Sequence, residues 1–459
     1  MGNNNNVVNF SSTKQKSRKK YTDDQIRALQ LMQDFILSEK QFFRLSGYAG
    51  TGKTFIIHKL IEESNLAGLS IAFAAPSNQA VKNFVSANED ISPDVFCLTV
   101  AQLLKLHPLF CEAIGEEIFI SSPGTLNLED FDLIIIDEYS MLSSKDFDRL
   151  VDTVLDSTTQ VIFVGDPAQI PPVKEAVPIV EYSDLIDESH TLKEVVRHSG
   201  DILRATVKLR EGFNVKWRDY DGGSVKLLGV RDWLRKMDDY YTDPKYIIDS
   251  NYVKTLAWRN RTVSYYNEKI RDAFLGVGHS KEEFLPGDLL IVKKPVIREV
   301  TVQGAKNNRI RRKKAVVLPT SEEVEVISVV AKRTYRLPIN GGWREFPYYE
   351  ILVSCKSRDF VTTVIIPTCD SRLEIVQSLY QLKELALKTL DWDKYKNLYY
   401  FFDDLDYSYA LTVHKSQGST YNVVFIDVAD LRTSKDRDKL LYTAFSRAKN
   451  KVYLCTEDL

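Results

Sequence analysis

The sequence predicts an α/β fold built on two parallel-sheet cores, and three observations carry that expectation. From about residue 21 to 192, short β-rich apolar runs alternate with helical stretches. A second set of such runs appears after residue 250, and the text between the two sets has a different character. Continuous apolar strands separated by helices are the pattern of a parallel sheet buried on both faces. The first set comprises residues 42–45, 69–74, 133–136 and 161–164; the second comprises 254–257, 423–428 and 451–455. Residues 282–364 carry Gly and Pro punctuation and strand-like alternation, as in 323–330 and 348–354, which predicts a small antiparallel β module. Helical text rich in Leu, Lys, Trp and Tyr follows over 372–402.

Length and composition agree with this plan. At roughly 150 residues per domain, 459 residues exceed one compact core and suggest about three domains. Hydrophobic residues at 44% and charged residues at 27% exclude a largely disordered or fibrous chain. Sixty-one Lys and Arg against 63 Asp and Glu leave a formal charge of −2. That excludes a histone-like polycation but not a local basic groove. Five cysteines (Cys97, Cys111, Cys355, Cys369, Cys455) share no short Cys-x-x-Cys spacing, as expected of reduced residues in a cytoplasmic protein. No apolar run is long enough for a membrane span, so no membrane partner is expected. The first 20 residues are polar and then basic, and read as a disordered tail, either solvated or brushing a phosphate backbone. A second basic cluster, 306–314, reads as a phosphate-facing loop or a solvated hairpin tip.

The sharpest motif is Gly-Tyr-Ala-Gly-Thr-Gly-Lys-Thr at 47–54, between a predicted strand and a predicted helix, as a P-loop requires. Gly47, Gly50, Thr51 and Gly52 would let the backbone wrap ATP phosphates, with N–H groups pointing inward. Lys53 would reach the β- and γ-phosphates, and the Thr54 hydroxyl would ligate Mg²⁺. The apolar strand 133–136 ends in two acids. Asp137 would complete the metal shell, and Glu138 would orient and deprotonate the attacking water. Gln169, just past another strand end, would sense the γ-phosphate or position the water. Arg197 and Arg447 are candidates for stabilising the developing charge.

Taken in chain order, these segments resemble the superfamily 1 helicases across nearly the whole chain. The Thr22–Ala28 text looks like the Q motif, with Gln25 reading adenine. The P-loop looks like motif I, 74–80 motif Ia, 98–104 motif Ib, 137–140 motif II and 165–170 motif III. The Arg197 segment looks like motif IV, 410–420 motif V and 440–450 motif VI. The short forms of motifs V and VI and the 257–271 segment are most similar to the 1B branch, Dda-type phage helicases related to RecD.

The resemblance implies two RecA-like P-loop cores. The first spans 21–104 and 128–196, interrupted by a hairpin-arm insertion at 105–127; the second spans 197–281 and 405–459. An SH3-like insertion with a helical projection would occupy 282–404. ATP and Mg²⁺ would be the cofactors, with Gly418 of motif V also at the nucleotide. Single-stranded DNA would meet Pro76, Ser77, Asn78, Thr99 and Gln102 on the first core and Asn260, Thr412, His414 and Lys415 on the second. Phe119 in the arm, with Pro108 beneath it, would form the strand-separating wedge. Trp392 reads as ordinary packing, or as a brace of the projection against the arm or the strand. Ordinary packing is the alternative for His414 and Phe119, and an exposed charge for Lys415.

The implied activity is ATP-dependent 5′-to-3′ movement on single-stranded DNA with unwinding of duplex forks. The expected form is a monomer in the cytoplasm, a host's if the protein is phage-encoded, with single-strand-binding or replisome proteins as partners. An RNA helicase, a protein-displacing translocase and a non-enzymatic subunit with a relic ATP site are the competing readings.

Overall fold

The computed structural model describes residues 21–66, 68–88, 92–121, 127–172, 175–196, 200–212, 215–220, 223–276, 282–303, 310–339, 341–355 and 359–456. The N-terminal tail, Arg197 and residues 306–309 of the basic cluster therefore lie outside the described residues. The chain forms two compact units. One contains the described residues up to His107, Ser121–Arg259 and those from Thr412 onward; the other contains Pro108–Ile120 and Asn260–Leu411.

The first unit holds two parallel sheets. The six-stranded sheet runs in the order Phe96–Thr99, Ile71–Ala75, Leu133–Ile136, Gln160–Gly165, Phe42–Gly47, Glu188–Leu192. Its pairings are parallel throughout. Leu133 and Ile135 enter one apolar core, Ile134 and Ile136 the other, so this strand is buried on both faces. That is why the strand reads as an unbroken apolar run. The edge strands Phe96–Thr99 and Glu188–Leu192 escape sequence reading, because partial exposure leaves them short or polar.

The second sheet runs Ala410–Thr412, Val253–Ala257, Tyr421–Asp427, Ala448–Cys455, Val225–Leu228. Its inner strands are again parallel. The first sheet follows the rule that open α/β sheets place their chemistry beyond the carboxyl ends of the strands, whereas Gly418 and Arg447 of the second precede the strands Tyr421–Asp427 and Ala448–Cys455.

The second unit is built on an antiparallel five-stranded sheet, Phe360–Pro367, Gly342–Cys355, Glu323–Ile339, Leu289–Val292, Leu405–Tyr407. Two of its strands are far longer than the sequence suggests, at 17 and 14 residues. Their extensions carry Leu337, Ile339 and Phe346 into a core with the helices Cys369–Thr389 and Asp393–Phe401. The basic stretch enters the strand Ile310–Leu318, paired antiparallel with Val296–Gln303. The helix Asn260–Leu275, expected within the second core, groups with this unit. Buried side chains tie it there, where Arg271 forms a two-pronged pair with Asp288 and Asn267 bonds the backbone of Tyr407 and Ala410.

Candidate nucleotide site and strand-contact residues

Strand Phe42–Gly47 delivers the phosphate loop, and helix Lys53–Leu66 leaves it. Gly50 and Gly52 hold φ of +83° and +86°, in the left-handed region where glycine alone is unstrained. A Cβ on Gly52 would lie 2.5 Å from Gln25 Nε2. Lys53 Nζ folds over its own loop and donates to the carbonyls of Gly47 (2.6 Å) and Tyr48 (3.3 Å). The Thr51 hydroxyl donates to Tyr48 O at 2.8 Å. Gln25, expected to read adenine, is 4% exposed and engaged otherwise. Its Oε1 accepts from Thr22 N–H in a capping box, and its Nε2 donates to Thr51 O at 2.9 Å. In this state Gln25 braces the loop rather than presenting a free amide.

Asp137 and Glu138 follow the strand Leu133–Ile136, and Asp137 N–H donates to Ala74 O at 2.8 Å. Glu138 has φ of +54°, a left-handed conformation that costs a non-glycine residue about 1 kcal/mol or more and recurs at functional sites. Burial, reinforced by Glu138 and opposed by Lys53, pushes the Asp137 carboxyl up to about 7. Glu138 Oε2 and Gln169 Oε1 are both buried without a hydrogen-bond partner. Such atoms cost about 1–3 kcal/mol each, so the site is incomplete without something to meet them.

Behind these acids, Tyr139 is wholly buried, and its hydroxyl is 2.8 Å from Ser46 Oγ and donates to Glu181 at 2.8 Å. A Cβ on Gly165 would strike its ring at 2.6 Å. The large residue in motif II is thus accommodated by the glycine opening motif III.

Residues of the second sheet complete the site. Arg447, 5% exposed, donates to Thr443 O (3.2 Å), Ser419 O (3.3 Å) and Ser446 Oγ (2.9 Å). A cavity of about 210 Å³ brings Lys53, Thr54, Asp137, Glu138 and Gln169 together with Gly418 and Arg447. Several bonds cross between the sheets. Tyr442 O–H donates to Asp166 Oδ2 at 2.6 Å while accepting from Ala49 N–H at 3.1 Å. Gln417 Nε2 donates to Ile170 O at 3.0 Å, and Asn83 Nδ2 donates to Gly418 O. Arg210 lies 3.6 Å over the Tyr48 ring.

The expected strand contacts divide. Pro76, Ser77 and Asn78 are partly exposed just beyond strand Ile71–Ala75, with Ser77 capping the helix Asn78–Ala87. Thr99 is 6% exposed, and its hydroxyl caps the turn Val100–Leu103. Gln102 is exposed, but its Oε1 closes the same capping box by accepting from Thr99 N–H. Thr412, His414 and Lys415 are partly exposed after the second sheet's edge strand. Burial lowers the His414 pKa, partly offset by Asp436, so the ring is neutral at pH 7. Asn260 is exposed at the start of its helix in the other unit.

The predicted arm is the hairpin Leu106–Cys111 and Glu116–Ser121, of which Pro108–Ile120 belongs to that other unit. Phe119 is 50% exposed, and Pro108 is partly buried on the opposite strand. Trp392 is 2% exposed and meets Phe110 edge-on, with ring centroids 5.1 Å apart. Lys396–Glu112, Lys383–Glu116 (3.3 Å) and Tyr399–Glu117 (3.0 Å) add polar fastenings between arm and helices.

Residues 20–229 match the family model of an AAA domain, and residues 407–455 match that of the UvrD-like helicase C-terminal domain. The chain is also 24% identical to the ATP-dependent DNA helicase dda of Enterobacteria phage T4, over 94% of this chain and 98% of that one. The chain is a superfamily 1B helicase of the Dda and RecD kind. Uncharacterized protein R530 of Acanthamoeba polyphaga mimivirus is 22% identical over the same shares of the two chains. Among solved structures, the Pif1 helicase from Candida albicans aligns with a TM-score of 0.49 at 16% identity, over 95% of this chain and 94% of that one.

Sequence reading passed over four side chains of this helicase site: Ser46, Asp166, Gln417 and Tyr442. All four lie within or beside the quoted motifs, but only the fold reveals what their polar atoms reach.

Proposed function

We propose that this helicase couples ATP hydrolysis to 5′-to-3′ movement on single-stranded DNA and opens duplex DNA at forks, as a monomer using Mg²⁺. One observation carries the reading: a single cavity gathers Lys53, Asp137, Glu138 and Gln169 from one parallel sheet and Arg447 from the other. The DNA substrate is supported by the T4 relative, named a DNA helicase. The direction rests on the superfamily 1B resemblance.

The residues present fit Mg²⁺. A carboxyl driven up by burial and by a neighbouring acid, beside an unpartnered carboxylate oxygen, is a donor set short of positive charge. Thr54 and Asp137 would hold the ion, which when bound offsets charge on the phosphates. Lys53 exchanges its loop carbonyls for β- and γ-phosphate oxygens. Glu138 takes the proton of the attacking water, and Gln169 holds that water or the γ-phosphate. Arg447 exchanges its backbone carbonyls for the developing charge. A triphosphate bridging both sheets favours closure, and hydrolysis removes the bridge. Pro76, Ser77, Asn78, Thr412 and Lys415 then supply alternating grips on a strand.

Unwinding of matched 5′- and 3′-tailed DNA and RNA duplexes tests this. Only the 5′-tailed DNA should open. Opening of the 3′-tailed duplex refutes the direction, and preference for RNA refutes the substrate. Displacement of a bound protein without strand separation supports the translocase reading instead. Lys53→Ala and Glu138→Gln should each lower strand-stimulated ATP hydrolysis by about a hundredfold or more.

A further inference from the structure

We infer that Tyr442 is a positioning residue for ATP hydrolysis, its hydroxyl tying the phosphate loop to the carboxylate that sets Gln169. The inference rests on the reading of the cavity as an ATPase site. The phenol oxygen accepts from Ala49 N–H at 3.1 Å, and the phenol proton goes to Asp166 Oδ2 at 2.6 Å. Both side chains are shut away from water, Tyr442 at 2% exposure and Asp166 at 0%. A buried carboxylate needs donors, and among the described residues this hydroxyl is one of two donors that meet Asp166. The other is Ala168 N–H, which reaches Asp166 Oδ1 at 3.0 Å and closes the turn leading into Gln169.

The far side of Gln169 is fastened as well. Ile170 N–H donates to Thr443 Oγ1 at 3.3 Å, and Ile170 O accepts from Gln417 Nε2 at 3.0 Å. The segment 166–170 is therefore clasped at both ends by side chains of the second sheet's elements. Its Gln169 Oε1 stays unpartnered at the cavity. Tyr442 and Thr443 belong to helix Arg437–Ser446, and Arg447 caps that same helix. Any shift of the helix that moves Arg447 must also pull on Ala49 and on the turn carrying Gln169. Arg447 thus has a partner that aligns the opposite wall of the cavity in step with it. Burial and the adjacent Asp166 hold the phenol well above its ordinary pKa, so it remains a donor throughout the working pH range.

Tyr442→Phe removes the hydroxyl and keeps the ring. In the full chain, kcat for ATP hydrolysis stimulated by single-stranded DNA should fall about tenfold, the worth of one charge-assisted hydrogen bond. KM for ATP should stay within about twofold, because Lys53 and the loop amides that hold ground-state ATP are untouched. Asp166→Asn keeps an acceptor oxygen, so the Tyr442→Phe/Asp166→Asn double variant should be no slower than the slower single variant. An unchanged kcat in Tyr442→Phe, a loss confined to KM, or losses that multiply in the double variant would each overturn the inference. Thermal melting of the same samples excludes misfolding, and a kcat loss at wild-type Tm supports the positioning role. If the wild type shows no DNA-stimulated hydrolysis above Lys53→Ala, the ATPase reading fails first.

Discussion

At the scale of single residues, the site is a set of polar atoms held in wait. Lys53 is parked on two carbonyls of its own loop, Arg447 on backbone oxygens and Ser446, while Glu138 and Gln169 each keep a buried oxygen without a partner. The cations can leave weak partners for phosphate, and the acceptors have nothing to give up. His414 makes the contrary point. Motif position suggests a contact to the strand, yet burial holds the ring neutral at pH 7 and denies it a charge for phosphate. Its folded pKa lies below the ordinary value near 6.5, so the unfolded chain binds the proton more readily. Stability contributed by the neutral ring is complete above that value and is lost as pH falls below it. Melting temperature should therefore drop more between pH 7.5 and 5.5 in the wild type than in His414→Gln. Single-strand affinity at pH 7.5 should differ less than about twofold between the two, read by fluorescence anisotropy.

At the scale of elements, the arm is the part whose meaning depends most on what it packs against. Its sequence reads as a short hairpin with an aromatic, which fits a wedge and a satellite core equally well. The fold separates two aromatics: Phe110 faces Trp392 and joins the core, while Phe119 on the neighbouring strand is half exposed. Gly115, at φ +62° in the hairpin turn, sits so close to the indole that a Cβ would lie 2.5 Å from Trp392 Cη2. Gly115→Ala should thus lower stability by about 1–3 kcal/mol, seen as a reduced melting temperature, and slow unwinding more than DNA-stimulated ATP hydrolysis. Phe119→Ala should leave ATP hydrolysis and single-strand translocation within about twofold while reducing unwinding several-fold. Equal losses in translocation and unwinding would remove the wedge role from Phe119.

At the scale of the whole molecule, the first unit couples two parallel sheets through the nucleotide cavity, and several buried bonds run from one to the other. A ligand that bridges both walls should stabilise that unit as a whole. A non-hydrolysable ATP analogue with Mg²⁺ should raise the melting temperature by several degrees in the wild type and by little in Lys53→Ala. Chelating the Mg²⁺ should remove most of the gain. The net charge of −2, from 61 Lys and Arg against 63 Asp and Glu, gives the molecule no wholesale attraction to a phosphate backbone, so hold on a strand must come from local groups.

The sequence by itself determined the phosphate loop, the paired acids, the motif order and the interior strands. Each is written in local text: glycines where φ must be positive, and unbroken apolar runs where a strand is buried on both faces. Tertiary structure alone decided the rest. Polar edge strands such as Glu188–Leu192 lack that signature because they are only partly buried. The long ribbon strands take their length from packing against helices that come later in the chain. The Thr99 hydroxyl accepts from Gln102 N–H as a helix cap, satisfying a backbone donor that the turn leaves open. Tyr442 lies 276 residues from the carboxylate it serves, a partnership that no spacing in the chain can express.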